Sequence, residues 1–176
     1  MGYEYLRLYL KWGNVVKKGV FATQRGNVLF RGAINLNLDA KGRLQIPAKH
    51  RDRLRESVGG HLVVTLDPQG HCLWLYPEDE WFEVERKLMK LPSTNGLRRL
   101  LLGSAHDVDM DSQGRILLPA DLREKAALEK HVSIVGQGNR FEIWDEFRWT
   151  DSRESWIEQA RDSESEMAEE LQNLVL

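Results

Sequence analysis

Short stretches in which apolar and polar residues alternate recur along the chain and predict β-strands. In residues 33–38, Ile34, Leu36 and Leu38 share one face and two asparagines occupy the other, as in a half-buried strand. Four further stretches have the composition of strands: 61–67, 72–77, 131–135 and 140–144. Glycine-containing turns join these four into two strand pairs. The pattern therefore predicts a mainly β fold.

Helical periodicity and capping residues predict helices between the strands. Residues 78–91 place acidic side chains in the first turn and basic ones in the last, which suits the helix dipole. Other predicted helices cover 48–57, 97–103, 120–128 and a segment that begins at 145. In the C-terminal tail, Ser163-x-x-Glu166 has the form of a capping box. The tail is acidic and weakly apolar, so it is predicted to be either a helix docked on a neighbour or a disordered segment.

A ten-residue motif occurs twice in similar form, as LDAKGRLQIP in residues 38–47 and as MDSQGRILLP in residues 110–119. Four residue types recur at a constant offset of 72 residues: Asp39/Asp111, Gly42/Gly114, Arg43/Arg115 and Pro47/Pro119. We interpret this as an internal duplication of a unit of about 45 residues. Each copy predicts a strand, a tight turn, a return strand, and a proline that opens a helix. Residues 39–42 are the first turn, and residues 111–114 are the second turn.

The Asp-x-x-Gly-Arg motif has two interpretations on physical grounds. In one, Asp39 and Asp111 fix the register of a hairpin by bonding the turn amides and the arginine across the turn. In the other, the turn holds Arg43 or Arg115 outward on a two-stranded ribbon that fits the major groove of DNA. The residues alone leave both interpretations open.

Charge is divided unevenly along a chain whose formal net charge is only −2. Residues 31–55 contain seven basic and two acidic residues, whereas residues 145–176 contain ten acidic and three basic ones. This asymmetry is typical of a basic contact surface opposed by an acidic tail, although two solvated faces give the same pattern. Lys41 belongs to the first turn and Gln113 replaces it in the second, so the first copy is the stronger candidate for a DNA contact.

No group of residues in the sequence forms a recognisable catalytic or metal-binding motif. The single cysteine, Cys72, allows no internal disulfide, and the five histidines lack the spacing of metal ligands. No stretch approaches the roughly 20 apolar residues of a membrane-spanning helix. Five aromatic residues are predicted to lie in the core or at a subunit contact: Trp74, Tyr76, Trp81, Trp144 and Trp149. We therefore expect neither an enzyme nor a metal or cofactor site.

The stretch FRGAINLNLDAKGRLQIPAKHR closely resembles the start of the MraZ family, bacterial proteins encoded at the head of the division and cell-wall gene cluster. The doubled DxxGR, the LLLGSAHDVDMD linker and VGQGNRFEIWDE resemble the same family, so the resemblance covers about residues 29–176. It implies two tandem SpoVT-AbrB domains, folded as swapped-hairpin (double-split) β-barrels with short flanking α-helices and a C-terminal helical tail. It also implies ring-shaped homo-oligomers that bind direct repeats upstream of their own operon and repress it.

The resemblance divides the chain into five segments: 1–28, 33–80, 81–104, 105–148 and 149–176. In order, these are a non-native N-terminal extension, the first SpoVT-AbrB domain, a helical linker, the second domain, and an acidic helical or disordered tail. Family members typically begin Met-Phe-Arg-Gly, and LFRG, from Leu29 to Gly32, stands in that place here. Our hypothesis is that translation was assigned from an upstream start, and that Leu29 or Val28 is the true initiator.

From these features we expect a sequence-specific DNA-binding transcriptional regulator that acts in the cytoplasm, on the nucleoid. Its expected partners are double-stranded promoter DNA and further copies of itself, with no membrane and no small-molecule substrate. Arg43 and Lys41 are expected to contact bases and phosphates. Supporting DNA contacts are expected from Arg31, Lys49, Arg51 and Arg115. The alternative is an antitoxin-like module that binds another protein, and an enzyme is the least favoured class.

Overall fold

The computed structural model describes residues 29–162 and 165–175, so the predicted N-terminal extension and Ser163 of the predicted capping box lie outside the described residues. The strands are β1 (Phe30–Asn37), β2 (Arg43–Gln45), β3 (His61–Leu66), β4 (Cys72–Pro77), β5 (His106–Asp109), β6 (Arg115–Leu117), β7 (His131–Gly138) and β8 (Phe141–Asp145). The helices are α1 (Ala48–Val58), α2 (Glu78–Leu88), α3 (Gly96–Gly103), α4 (Ala120–Lys125), α5 (Glu146–Arg161) and α6 (Glu166–Val175). The described chain is mainly β, as predicted, and its tail contains a helix.

Six strands form one antiparallel sheet in the order β1-β7-β8-β4-β3-β5, and the other two pair as an antiparallel ribbon, β2-β6. Strand β1 of the first copy pairs with β7 of the second, for example Ile34 with Ile134. Strand β5 of the second copy pairs with β3 of the first, for example Val108 with Leu62. Strands from the two sequence copies are therefore interleaved in shared sheets.

Each motif turn forms, but the strands on its two sides do not pair with each other. The first turn closes through the N–H of Asp39, which donates to the carbonyl of Arg43 at 3.0 Å, and β2 then pairs with β6. The prediction of a self-paired hairpin is therefore right about the turn and wrong about the partner strand. Alternation indicates which face of a strand is buried, but it does not indicate which strand lies beside it.

The inner face of the ribbon belongs to the main hydrophobic core. Leu44 and Ile116 pair in register across the ribbon and are at most 1% exposed. Pro47 and Pro119 follow these strands, and α1 and α4 begin at the next residue, as the missing proline N–H allows. Each of these helices adds a fully buried leucine to the core. Burial of an apolar side chain of this size contributes about 1.5–3 kcal/mol, so the ribbon is firmly attached to the body.

A second core cluster holds the aromatic residues of the two strand pairs. Four of them are buried: Trp74, Tyr76, Trp81 and Trp144. Trp149 is half-buried against the same cluster, with its ring centroid 5.9 Å from that of Trp144. These aromatic residues therefore lie in the core, which is one of the two positions predicted for them.

The connection between the two copies contains the predicted helix, α3. The side-chain oxygen of Asn95 accepts the N–H of Arg98 at 3.1 Å and caps its N-terminus. Leu101 is buried, and its carbonyl accepts the hydroxyl of Thr65 on β3 at 2.9 Å. The connection is thereby tied to the sheet. Among the helices that the structure describes, none is long and apolar enough to cross a bilayer.

Candidate nucleic-acid interface

The outer face of the β2-β6 ribbon carries four side chains. Arg43 lies opposite Leu117, and Gln45 lies opposite Arg115, while the pair between them faces the core. Because alternate residues of a strand project to opposite faces, both arginines project from the outer face. The structure therefore brings together the two motif arginines, which the sequence separates by 72 residues.

The carboxylate of Asp39 holds the first turn. Its Oδ1 accepts the backbone N–H groups of Lys41 at 2.8 Å and Arg43 at 3.0 Å. Gly42 has a φ of +78°, which favours glycine, and its N–H donates to the Asp39 carbonyl at 2.9 Å. These contacts are those expected of an aspartate and a glycine that fix a tight turn.

Asp39 also binds the side chain of Arg43. The Nε of Arg43 lies 2.5 Å from Oδ2, and the two side chains are 32% and 36% exposed, respectively. The backbone N–H of Arg43, and then its guanidinium, lower the pKa of Asp39 to about 2, so the carboxylate stays ionised at neutral pH. Among the described residues, no hydrogen-bond acceptor engages the two terminal nitrogens of this guanidinium. Arg43 is therefore oriented along one edge and open along the other.

The second turn repeats the geometry of the first. The Oδ1 of Asp111 accepts the N–H groups of Gln113 and Arg115, each at 2.9 Å, and Gly114 has a φ of +79°. Both Nε and Nη2 of Arg115 contact Oδ2, at 2.9 and 2.8 Å. The backbone N–H of Arg115, and then its side chain, lower the pKa of Asp111. Asp111 therefore orients Arg115 as Asp39 orients Arg43.

Each turn is covered by an arginine from the other copy. Arg51 of α1 lies over Gly114, and a Cβ on that glycine would collide with it. Arg123 of α4 lies over Gly42 in the same way. Each arginine donates from Nε to the carbonyl that precedes its own helix-opening proline, at 2.6 Å for Arg51 and 3.2 Å for Arg123. Arg123 is not among the residues predicted from the sequence, although its 72-residue offset from Arg51 could have identified it. The phosphate contact of Arg51 stays a prediction.

The other predicted basic contacts are exposed. Lys41 projects from the first turn, and its ammonium group has no hydrogen-bond or ion-pair partner among residues 29–162 and 165–175. Lys49, in the first turn of α1, donates from Nζ to the carbonyl of Arg31 at 3.2 Å. Arg31 lies on β1, an edge strand of the large sheet. The structure therefore places Lys41 beside Arg43 and groups Lys49 with Arg31 at the sheet edge.

Charge distinguishes the two ends of the ribbon. The strand that leads to the second turn exposes Asp107 and Asp109, where the first copy has Asn35 and Asn37. The Nδ1 of His61 lies 2.7 Å from a carboxylate oxygen of Asp109. Because phosphate is repelled by exposed carboxylates, the first turn is the more favourable end for a nucleic acid.

The described residues also bear on metal and thiol chemistry. Within them, no group of three or more His, Cys, Asp or Glu side chains could hold a metal ion. Cys72 is buried, and burial raises the pKa of its thiol, which disfavours the reactive thiolate. The charged groups on the outer face of the ribbon are the guanidinium groups of Arg43 and Arg115.

Comparisons with known proteins agree with the repeated motif. A family model described as "MraZ protein, putative antitoxin-like" matches the chain twice, over residues 29–103 and 101–173. A protein of Halorhodospira halophila called Transcriptional regulator MraZ is 48% identical over 152 residues, which cover 84% of this chain and 100% of the relative. Proteins of the same name from Thioalkalivibrio sulfidiphilus and Nitrosomonas europaea are 47% and 51% identical, over 84% and 69% of this chain and 100% and 84% of their own lengths. The chain belongs to the MraZ family, which confirms the resemblance carried by its doubled motif.

Proposed function

We propose that the chain is a sequence-specific DNA-binding transcriptional regulator whose contact surface is the outer face of the β2-β6 ribbon with its two turns. One observation carries the proposal: Arg43 and Arg115 project from one ribbon, and each is oriented by its own aspartate. The name of the relatives, transcriptional regulator, supports the same class of function. No catalytic step and no cofactor belong to this proposal.

The ribbon suits the major groove by size and by donor chemistry. A two-stranded antiparallel ribbon fits into the groove, where a guanidinium can donate to guanine O6 and N7 or to phosphate. In this proposal, the two terminal nitrogens of Arg43 donate to guanine or phosphate while its Nε remains hydrogen-bonded to Asp39. A bidentate pair of this kind discriminates against a wrong base by about 1–3 kcal/mol. Lys41 contacts phosphate beside it, and further DNA contacts come from Arg31, Lys49, Arg51 and Arg115.

Several ribbons acting together supply the affinity that one ribbon lacks. In this proposal, a ring-shaped homo-oligomer presents identical ribbons to direct repeats and gains affinity through effective concentration. The repeats lie upstream of the chain's own division and cell-wall operon, which it represses in the cytoplasm, on the nucleoid. The interleaved strands support a swapped-hairpin, double-split barrel, with domain bounds proposed at 33–80 and 105–148.

A protein-binding module is the second candidate, and the C-terminal helices favour it. On α5, Phe147 is 73% exposed and Ile157 is 43% exposed, and the family description includes the term antitoxin-like. Such a module binds one partner protein in fixed stoichiometry without DNA. DNA affinity that falls steeply with added salt supports the regulator. A partner that co-purifies after nuclease treatment supports the module.

The decisive experiment measures DNA binding by Arg43→Ala. Fragments of the source genome that the wild-type chain retains are selected first, and affinity for one retained fragment is measured by fluorescence anisotropy. We expect the variant to bind about tenfold or more weakly, because it loses a bidentate donor at every ribbon of the assembly. Its elution in size-exclusion chromatography should match the wild type, since Arg43 is partly exposed and lies outside the core.

Arg86→Ala is the matched control, because it removes the same charge from an exposed face of α2. There Arg86 pairs with Glu83 at 2.8 Å, and both side chains are more than half exposed. We expect this variant to bind DNA within about twofold of the wild type, since exposed pairs contribute little. Wild-type affinity in Arg43→Ala would exclude the ribbon as the contact surface.

A further inference from the structure

The two motif turns have the same internal hydrogen bonds but different support from the rest of the chain. In each turn, the aspartate accepts the N–H groups two and four residues further on, at 2.8–3.0 Å. The turns differ in the side chains that reach their carbonyls from outside. A difference in mobility between the two turns would therefore report these external contacts.

Two side chains of the first copy bind the carbonyls of the second turn. The Nε2 of Gln45 donates to the last two carbonyls of the turn, at 2.9 and 3.0 Å. The Nη2 of Arg55 donates to the first two, at 3.1 and 2.9 Å. Every carbonyl of the second turn thus accepts a hydrogen bond from one of these side chains.

The related positions in the second copy carry no donor for the first turn. Gln45 corresponds to Leu117, which is 55% exposed opposite Arg43. Arg55 corresponds to Ala127. Across the described part of the chain, no side chain donates to the carbonyl of residue 40 or 41. The first turn therefore has its internal hydrogen bonds and the packing of Arg123. It lacks side-chain donors to its carbonyls like those that Gln45 and Arg55 give to the second turn.

We propose that Gln45 and Arg55 brace the second turn in one conformation, and that the first turn, which lacks this brace, adjusts to DNA and carries Lys41 to phosphate. The inference rests on the proposed DNA-binding function and divides that function between the two ends of the ribbon. The braced end presents Arg115 as a preset contact. At the unbraced end, Asp39 still orients Arg43, and Lys41 is the contact that becomes ordered on binding.

The charges at the two ends support the same division. The first turn contains Lys41, whereas the second contains Gln113 and follows the exposed Asp107 and Asp109 of β5. Attraction to phosphate supplies most of the sequence-independent affinity for DNA. The attraction to phosphate therefore acts most strongly on the first turn, which is the turn that lacks the brace.

Reciprocal neutral substitutions test the brace in the full chain. Gln45→Leu removes from the second turn one of the two donors that the first turn lacks, and Leu117→Gln adds the equivalent donor beside the first turn. Hydrogen exchange by mass spectrometry reports on the turns through peptides that cover 39–43 and 111–115. In the free wild type, we expect exchange in the second turn to be about five- to tenfold slower after correction for intrinsic rates. Gln45→Leu should accelerate hydrogen exchange in the second turn, and Leu117→Gln should slow hydrogen exchange in the first turn.

A retained genomic fragment then tests the role of each turn in binding. DNA should slow exchange in the first turn about tenfold and leave the second within about twofold. Leu117→Gln should weaken binding about fivefold with an unchanged salt slope, because it stiffens the adjusting turn without changing charge.

The outcomes separate this inference from the proposed function. Equal exchange of the two turns in the free wild type, or no response to Gln45→Leu, would overturn the brace. Unchanged or tighter DNA binding by Leu117→Gln would overturn the adjusting turn. A wild type that retains no DNA would overturn the proposed function and the DNA role of the first turn, while exchange in the free protein still decides whether the brace exists.

Discussion

At the scale of single residues, His50 makes the stability of the fold depend on pH. Its ring packs against those of Phe30 and Phe141, at centroid distances of 5.3 and 5.1 Å, and it is 7% exposed. Burial, and then the charges of Lys49 and Arg53, lower the pKa of His50 from its ordinary value of 6.5. Protonation is therefore harder in the folded chain than in the unfolded one.

The direction of the pH effect follows from this difference in pKa. The stability tied to neutral His50 is fully present above about pH 6.5 and declines as the pH falls toward the lower folded-state pKa. His50→Leu, which copies Leu122 at the related position, should remove this part of the decline. Urea denaturation between about pH 7.5 and 5 checks this, and the wild type should lose more of its free energy of unfolding than the variant. If the free energy of unfolding fell equally with pH in the wild type and the variant, the pH dependence would come from groups other than His50.

The glycine of the second turn is required for two reasons that a matched comparison separates. Gly114 has a φ of +79° with Arg51 packed over it, whereas Gly70 has a φ of +74° with open space around it. We expect Gly70→Ala to lower the free energy of unfolding by about 1–2 kcal/mol, from the left-handed conformation alone. Gly114→Ala should cost about 1 kcal/mol more, because Arg51 must move from its carbonyl partner.

Urea denaturation of both alanine variants measures the two costs. In an Arg51→Ala background the extra cost at Gly114 should disappear, because the group that collides with the new Cβ is gone. Equal losses for the two glycines in the wild-type background would show that the covering arginine contributes nothing to the turn.

At the scale of elements, the sequence predicts the turns and the faces of the strands because both depend on nearby residues. Asp39 bonds amides within four residues of itself, and Gly42 supplies the positive φ that the turn needs. The alternation of Arg43, Leu44 and Gln45 indicates which side chain is buried. The partner of β2 lies 72 residues away, and no local signal selects β6 over β1.

Part of the candidate site could not be predicted because it depends on contacts between distant parts of the chain. Gln45, Arg55 and Arg123 contact turns that belong to the other copy, so their roles depend on the interleaved packing. A basic helix gives no sign of which arginine binds a backbone carbonyl and which remains in solvent. The constant 72-residue offset is the exception, since it relates Arg123 to Arg51 without any structure.

At the scale of the whole molecule, the interleaved strands make the two copies depend on each other. Strand β1 pairs with β7 over eight residues, β2 pairs with β6, and β4 pairs with β8, in every case across the copies. Division of the chain after α3 would separate these three pairs and also the pair β3-β5. Each fragment would then contain strand edges without partners and an apolar ribbon face without its cover.

We therefore expect neither 29–104 nor 105–176 to fold as a monomer. Unpaired backbone groups and the exposed faces of Leu44 or Ile116 would cost more free energy than the remaining contacts supply. Equal mixing of the fragments should restore cooperative unfolding and the near-ultraviolet circular dichroism of the intact 29–176 control. A fragment that forms a homodimer would agree with this expectation, because the same motif in the other molecule would supply the missing strands. A folded monomer of either fragment, established by sedimentation, would show that one copy can bury its own ribbon, and the interleaved pairing would then not be needed for folding.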